Sequence, residues 1–435
     1  MSFKNIAAWA FCLVLLLAVA PGAVQARVYI DISQPFARKI PIATPDFQSI
    51  NPAGADSSEM SVGLPTLLNQ NLDFTGMFIA LDKRTFRESN PRSGLGQGEP
   101  VNFQEWRTVG GELLVKGGFD LIGEQLTLEL RLFDVFEGRL LLGKKYTGSP
   151  ANARTMINKF TNEILRQLTG APGVFGTKIV FSGGKGTTKE IFMTEFGSEE
   201  VVQLTENPGP STMPAIGADG RIAYITRRGK DYVLKVGERS VASGPLHLTP
   251  CFTPSGELLA AISGRVSTNI FRFPEGGKPV PLTNYWGINI SPTVSPDGSQ
   301  MAFVSDRSGS AQVYISSING GPARRLTFEG NQNMDPRWSP NGDLIAYSGG
   351  GKDIYTIRAD GGDLRKLTAG AGLNTAPTWS PDGRMIAFSS TRMGDSPKLF
   401  VMTANGERQR QLLPGFKGIQ RSSFWSPTEW NTSAE

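Results

Sequence analysis

Two residues, His247 and Cys251, hold most of what hydrolytic or metal chemistry would need in this chain of 435 residues. It has one histidine, and its other cysteine is Cys12. A zinc cage draws on several Cys and His ligands at short spacings, and these are absent. A Ser-His-Asp site would depend wholly on His247, within Pro245-Leu-His-Leu-Thr249, and no G-x-S-x-G elbow occurs. Gly183-Gly-Lys-Gly-Thr187 has the composition of a phosphate loop but not its order, and reads as a hairpin turn. Oxygen ligands for a hard cation are the remaining option, with Asn333 and Asp335 as the pair that could contribute. That keeps a metal-dependent propeller hydrolase open as an alternative, although most aspartates near the repeats sit in turns that explain them. No cofactor-binding motif is found.

The elements that would position any such site are set by an internal repeat. From about residue 177 a Ser-Pro-Asp-Gly turn is followed by an apolar strand, a hairpin, a second strand and Leu-Thr. The turn is Val294-Ser-Pro-Asp-Gly298, Trp338-Ser-Pro-Asn-Gly342 and Trp379-Ser-Pro-Asp-Gly383. Weaker copies are Gly217-Ala-Asp-Gly220 and Phe252-Thr-Pro-Ser-Gly256, and a truncated one is Trp425-Ser-Pro427. Its glycines, at 220, 256, 298, 342 and 383, are 36, 42, 44 and 41 apart. A blade of four strands repeats at about 40–45 residues. With the strand entering each turn called a, and its successors b, c and d, Lys178-Ile-Val-Phe181 is a b strand with no a before it. Ser423-Phe-Trp425 is an a strand with no b after it. Six of each exist only if the C-terminal strand completes the first blade, which closes the ring and removes its edges. The expected fold is an α/β N-terminal domain followed by an all-β six-bladed β-propeller, residues 177–435, closed by the C-terminal strand.

Ahead of the propeller, residues 48–170 read as α/β. Leu126, Leu128, Leu130 and Leu132 alternate with polar residues as a half-buried strand, with Arg139 to Tyr146 as its hairpin partner. Ala153, Met156, Ile157, Phe160, Ile164 and Leu165 have helical spacing. At the N-terminus, Lys4, the apolar run Ile6–Ala20 and Val24-Gln25-Ala26 predict a cleaved signal peptide over 1–26; an uncleaved anchor would need about 20 apolar residues. Its removal takes away one Lys and no acid, so the formal charge falls from +5 to +4, too weak for nucleic-acid binding. The exported chain keeps only Cys251 and can form no intrachain disulfide. Residues 27–47 have alternating Val28, Ile30 and Ile32 and then three prolines. Two readings stay open: a mobile peptide that pairs with a partner by strand addition, or a first strand tied into the α/β domain.

Together these features resemble the TolB family, over the whole chain. The most specific residues are Gly330-Asn-Gln-Asn-Met-Asp-Pro-Arg-Trp-Ser-Pro340, Asn374-Thr-Ala-Pro-Thr-Trp-Ser-Pro-Asp-Gly383 and Ser305-Asp-Arg307. Propellers of the prolyl oligopeptidase type share the turn motif but carry a hydrolase domain, and here the sequence stops at the propeller. The resemblance implies a non-enzymatic periplasmic scaffold of the Tol–Pal system. Its propeller would bind the peptidoglycan-associated lipoprotein Pal, and its N-terminal segment (Arg27, Val28, Tyr29, Ile30, Asp31 and Ile32) the inner-membrane protein TolA. It would maintain the outer membrane, draw it inward at cell division, and be exploited by bacteriocins for import. Ile216-Gly-Ala-Asp-Gly220 departs from the pattern by lacking Trp and Ser-Pro.

The loops between strand d and the next strand a, with the b–c hairpins, are expected to ring one mouth of the central channel. The candidate partner-binding residues there are Asn289, Ser291, Asn331, Asn333, Asp335, Asn374, Thr375 and Arg307. Asparagine and threonine offer adaptable hydrogen bonds and arginine suits carboxylates. For any one of them, turn-forming or capping polarity is the competing account; repetition from blade to blade favours binding.

Overall fold

The computed structural model describes residues 38–51, 58–96, 100–184, 188–245 and 247–427. The signal-peptide reading, Cys12, and the segment residues Arg27–Ile32 lie outside them.

Ile40–Ala43 (β1), Gln48–Ser49 (β2), Phe78–Ala80 (β3), Leu113–Ile122 (β4), Gln125–Asp134 (β5) and Arg139–Gly148 (β6) form one mixed sheet in the order β3-β1-β4-β5-β6, with β2 further along β4. Leu126, Leu128, Leu130 and Leu132 are wholly buried on one face, as their alternation requires. Ser58–Thr75 (α1) and Ala153–Thr169 (α3) cover that face through Leu68, Leu72, Ile157, Phe160 and Ile164. Phe103–Thr108 (α2) seals Trp106 into a smaller core with Phe133 and Val135. α3 ends at Gly170, whose φ of 78° is the left-handed cap that glycine adopts without Cβ strain. Close packing also explains Gly117: a Cβ there would lie 2.4 Å from the Phe47 ring.

The boundary between the N-terminal segment and the α/β domain falls earlier than residue 47. β1 pairs in parallel with both β3 and β4, so the chain is inside the sheet from residue 40. Pro41 has no N–H to give to the ladder, and its carbonyl accepts the Glu112 N–H at 3.0 Å.

Six four-stranded sheets follow. Five are consecutive, beginning at Ser211, His247, Asn289, Asn333 and Asn374. The sixth joins Ile419–Trp425 antiparallel to Lys178–Gly184, so the last strand closes the first blade. Lys178–Gly184 pairs antiparallel with Glu190–Glu195, and residues 185–187 of the glycine-rich stretch between them lie outside the described residues.

The repeated turn has a local cause. The Ser380 hydroxyl donates to Asp382 at 2.6 Å and accepts the Met385 N–H at 2.9 Å, while the Asp382 carboxylate accepts the Arg384 N–H at 3.1 Å. Gly298, Gly342 and Gly383 have φ of 72°, 80° and 71°. The second blade lacks Ser-Pro but keeps the turn through Gly220 N–H to Gly217 O at 3.0 Å, Gly217 N–H to Arg221 O at 2.9 Å and the Asp219 carboxylate, which accepts the Arg221 N–H at 3.0 Å.

The two domains share a core. Phe160, Leu165 and Phe175 pack with Ile179, Phe196, Met385 and Trp425. Trp425 Nε1 donates to Thr177 Oγ1 at 2.8 Å and Arg384 Nη2 to Thr169 Oγ1 at 2.9 Å.

Candidate functional site

Strand a starts where the b–c hairpin turns, since Asn289 pairs with Ser305, Asn333 with Gly349 and Asn374 with Ser390. Loop residues also bridge to the preceding blade, Ile288 to Thr268 and Gln332 to Ala311. The candidate residues are therefore gathered at one end of the disc.

Their side chains have different roles. Asn289, Asn333 and Asn374 are no more than 1% exposed. Asn333 Nδ2 donates to Gln312 Oε1 and to the Glu329 carbonyl, both at 2.8 Å. Asn289 Nδ2 donates to Asn269 Oδ1 at 2.9 Å, and Asn374 Nδ2 to Asp353 Oδ1 at 3.4 Å. Each of those acceptors belongs to strand c of the preceding blade. Each also accepts the hydroxyl of that blade's Leu-Thr threonine, Thr327 on Gln312 at 2.7 Å and Thr368 on Asp353 at 2.8 Å. The same hydroxyl accepts a strand-c N–H at 2.9 Å, from Val313 or Ile354. The Leu-Thr and Asn repeats thus form one buried network that ties successive blades together. Where Leu413 replaces threonine, Gln420 Oε1 takes the strand-c N–H of Leu399 at 2.8 Å.

Arg307 belongs to the same machinery. Its Nη2 donates to Asn289 Oδ1 and its Nε to Ser305 Oγ, both at 3.0 Å, and its guanidinium lies over Tyr285, Phe303 and Tyr314 at 5.2, 5.4 and 4.9 Å. Arg392 repeats this arrangement in the sixth blade, on Asn374, Ser390, Phe388 and Phe400. Ser291 is buried, and its N–H donates to Thr249 Oγ1 at 2.8 Å. Thr375 is half-buried in strand a. Asn331 is the one polar candidate that is exposed.

Asp335 is part-buried, with its carboxylate near Ser348 Oγ at 3.4 Å, and burial holds that carboxyl above the ordinary range. The Arg337 charge offsets this in part. Among the described residues no group of three or more His, Cys, Asp or Glu could hold a metal. Cys251 is a buried free thiol that burial pushes above its usual range.

This end of the disc exposes polar side chains, Arg265, Glu329, Asn331 and Gln332 among them, together with a set of large apolar ones. Trp286 is 77% exposed, Phe328 71% and Met393 69%; Val266, Ile288 and Leu373 are exposed beside them. All six lie in loops that enter strand a or in b–c hairpins. The sequence held a signal for them, an apolar residue within a few positions before each blade's asparagine: Ile288, Phe328 and Leu373. The repeated asparagines drew attention first.

A helix-covered α/β domain fused to a closed propeller, with large apolar side chains exposed on the loops at one channel mouth, defines a binding module; no described helix is long and apolar enough to cross a membrane. Residues 165–429 match the model of the TolB beta propeller domain, and residues 28–141 that of the TolB amino-terminal domain. The chain belongs to the TolB family. A protein TolB homolog of Chlorobium luteolum is 34% identical over 385 residues, covering 86% of this chain and 87% of that one. The Tol-Pal system protein TolB of Desulfosudis oleivorans is 39% identical over 268 residues; the match spans 60% of this chain and 61% of that protein, less than two thirds. The crystal structure of TolB from Acinetobacter baumannii shares the fold, with a TM-score of 0.78 and 23% identity over 90% of this chain and 97% of that one.

Proposed function

We propose that this chain is a non-enzymatic periplasmic scaffold of the Tol–Pal system. It binds a Pal-like lipoprotein through the loop end of its propeller and a TolA-like inner-membrane protein through residues 27–32. In that role it maintains the outer membrane and helps draw it inward during cell division, and bacteriocins use it for entry. Family membership supports the setting. The observation that carries the binding surface is the set of exposed apolar side chains, Trp286, Phe328 and Met393 foremost, around a channel mouth held rigid by the buried network. Exposed anchors on a pre-organised frame bind without a large ordering cost.

The test is capture of envelope proteins by the exported chain, beside Trp286→Ala/Phe328→Ala/Met393→Ala and a chain lacking residues 27–37. The triple variant should lose the lipoprotein while keeping its melting temperature, and the deletion should lose the inner-membrane protein alone. Unchanged capture of the lipoprotein by the folded triple variant would overturn the surface assignment.

A further inference from the structure

At the opposite end of the channel, where strands a run into the Ser-Pro turns, the structure has a cavity of about 350 Å³ lined wholly by propeller residues. That lies within the size range of small-molecule pockets, about 300–1,000 Å³. Its wall is built from the last residue of each strand a, among them Phe252, Trp338, Trp379 and Trp425. The three indole N–H groups are already spent inside the fold. Trp338 donates to Gly342 O at 3.0 Å, Trp379 to Arg337 O at 3.0 Å and Trp425 to Thr177 Oγ1 at 2.8 Å. What the rings offer the cavity is therefore apolar surface.

One residue breaks that character. The position before the last in strand a is Ala215, Cys251, Thr293 and Thr378 in four blades. Thr293 and Thr378 there accept the N–H of Trp338 and Trp425, at 3.2 and 3.0 Å. In the fifth blade the position is Arg337, which reaches past the sixth blade to Phe424 of the first, 5.2 Å from guanidinium to ring centre. Its Nε is buried without a hydrogen-bond partner, and its Nη1 donates only to its neighbour's carbonyl, Pro336 O, at 3.1 Å. Among the described residues it makes no ion pair within 4 Å. Its charge acts on the Asp335 carboxylate of the same strand, but no ion pair forms, and this half-buried guanidinium keeps donors unspent, which is costly unless something accepts from them.

We propose that this cavity is a binding site for a small aromatic carboxylate, with the ring between the tryptophans and the carboxylate on Arg337. The planar fork of arginine matches a carboxylate in a way that a neutral group cannot reproduce. This assignment is independent of the partner surface at the other mouth.

The probe is 3-phenylpropionate, titrated beside its neutral counterpart 3-phenylpropan-1-ol and followed by the indole N–H resonances of Trp338, Trp379 and Trp425. The acid should saturate at least about tenfold tighter than the alcohol, the margin a charge-assisted pair gives over a neutral contact. Arg337→Thr places in this blade the residue that two others carry, and so keeps the fold; it should erase that margin. Val294→Trp fills the cavity and should abolish both. Equal affinity for acid and alcohol, or an unchanged margin in Arg337→Thr, would overturn the proposal. So would binding seen only in a chain ending at Pro427, because the cavity of the intact chain would then be occupied by its own residues 428–435.

Discussion

Replacing Trp286 by alanine should separate the binding surface from the frame beneath it. Trp286 is 77% exposed, and its ring meets Tyr285 at 5.2 Å between centres. Truncation should therefore leave folding stability within about 0.5 kcal/mol, as for other surface positions. On binding, about 150 Å² of aromatic surface is free to be covered, which at about 25 cal/mol per Å² gives an upper limit of about 4 kcal/mol. Immobilising the side chain returns about 1 kcal/mol, so truncation should cost about 2–3 kcal/mol, or about 30- to 150-fold in Kd. Asn333→Ala is the counterpart. It removes the buried 2.8 Å hydrogen bond to Gln312 of the preceding blade and a 2.8 Å bond to Glu329 O of its own entering loop, and should lower unfolding free energy by about 1–3 kcal/mol, with little effect on the Kd of molecules that remain folded. Calorimetric titration against the captured lipoprotein, beside denaturant unfolding of each variant, reads both quantities. The reasoning fails if Asn333→Ala weakens binding by tenfold at unchanged stability while Trp286→Ala binds like the parent.

Thr327→Val should cost about 1–3 kcal/mol in urea unfolding, because the Val313 N–H loses its acceptor and Gln312 Oε1 one of its donors. Truncation after Gly418 removes the closing strand and Trp425 from the shared core, and should abolish the single cooperative thermal transition. Asp335→Asn should raise the melting temperature at pH 7. Burial raises the carboxyl's folded pKa, so ionisation above its unfolded value of 3.8 works against folding, and the gain should shrink as pH falls toward 3.8. Ala376 has a φ of 51°, so Ala376→Gly should be neutral within about 0.5 kcal/mol in denaturant unfolding, relief of left-handed strain offsetting added freedom in the unfolded chain. Ala387→Gly, in a fully buried strand b, should instead lose about 1 kcal/mol.

The architecture was legible because its cause is local and repeated. A serine that caps the next strand, an aspartate that accepts the N–H two residues on and a glycine at positive φ recur at a fixed period, and counting strands from Lys178 to Trp425 shows how the ring closes. β1 was hard to see because Pro41 and its neighbouring prolines mask a strand whose partners, Phe78–Ala80 and Leu113–Leu114, lie more than 30 residues away. The candidate site was harder still. An asparagine repeated at every blade entrance fits a binding ring and an internal tie equally well. Only the register that brings Asn333 to Gln312, 21 residues back in the preceding blade, decides between them.

The same register explains why the anchors are outside. Every strand a has a bulge, at its third position in five blades and its fourth in the closing strand, where Met213, Thr249, Ser291, Asp335, Ala376 and Ser422 all adopt φ between 47° and 54°. In five of the six the next residue is proline. A non-glycine residue in this region costs about 1–2 kcal/mol, so six such positions in one ring persist only because the surroundings enforce them. A bulge adds a residue and re-aims the chain on either side of it. Here the residue two positions before the bulge turns into the interblade network in the asparagine blades, at Asn289, Asn333 and Asn374, and in the closing blade at Gln420. Within five residues before those asparagines, Ile288, Phe328 and Leu373 are left facing solvent. The inward turn of these polar side chains, with apolar ones exposed beside them, accompanies one backbone irregularity repeated around the ring.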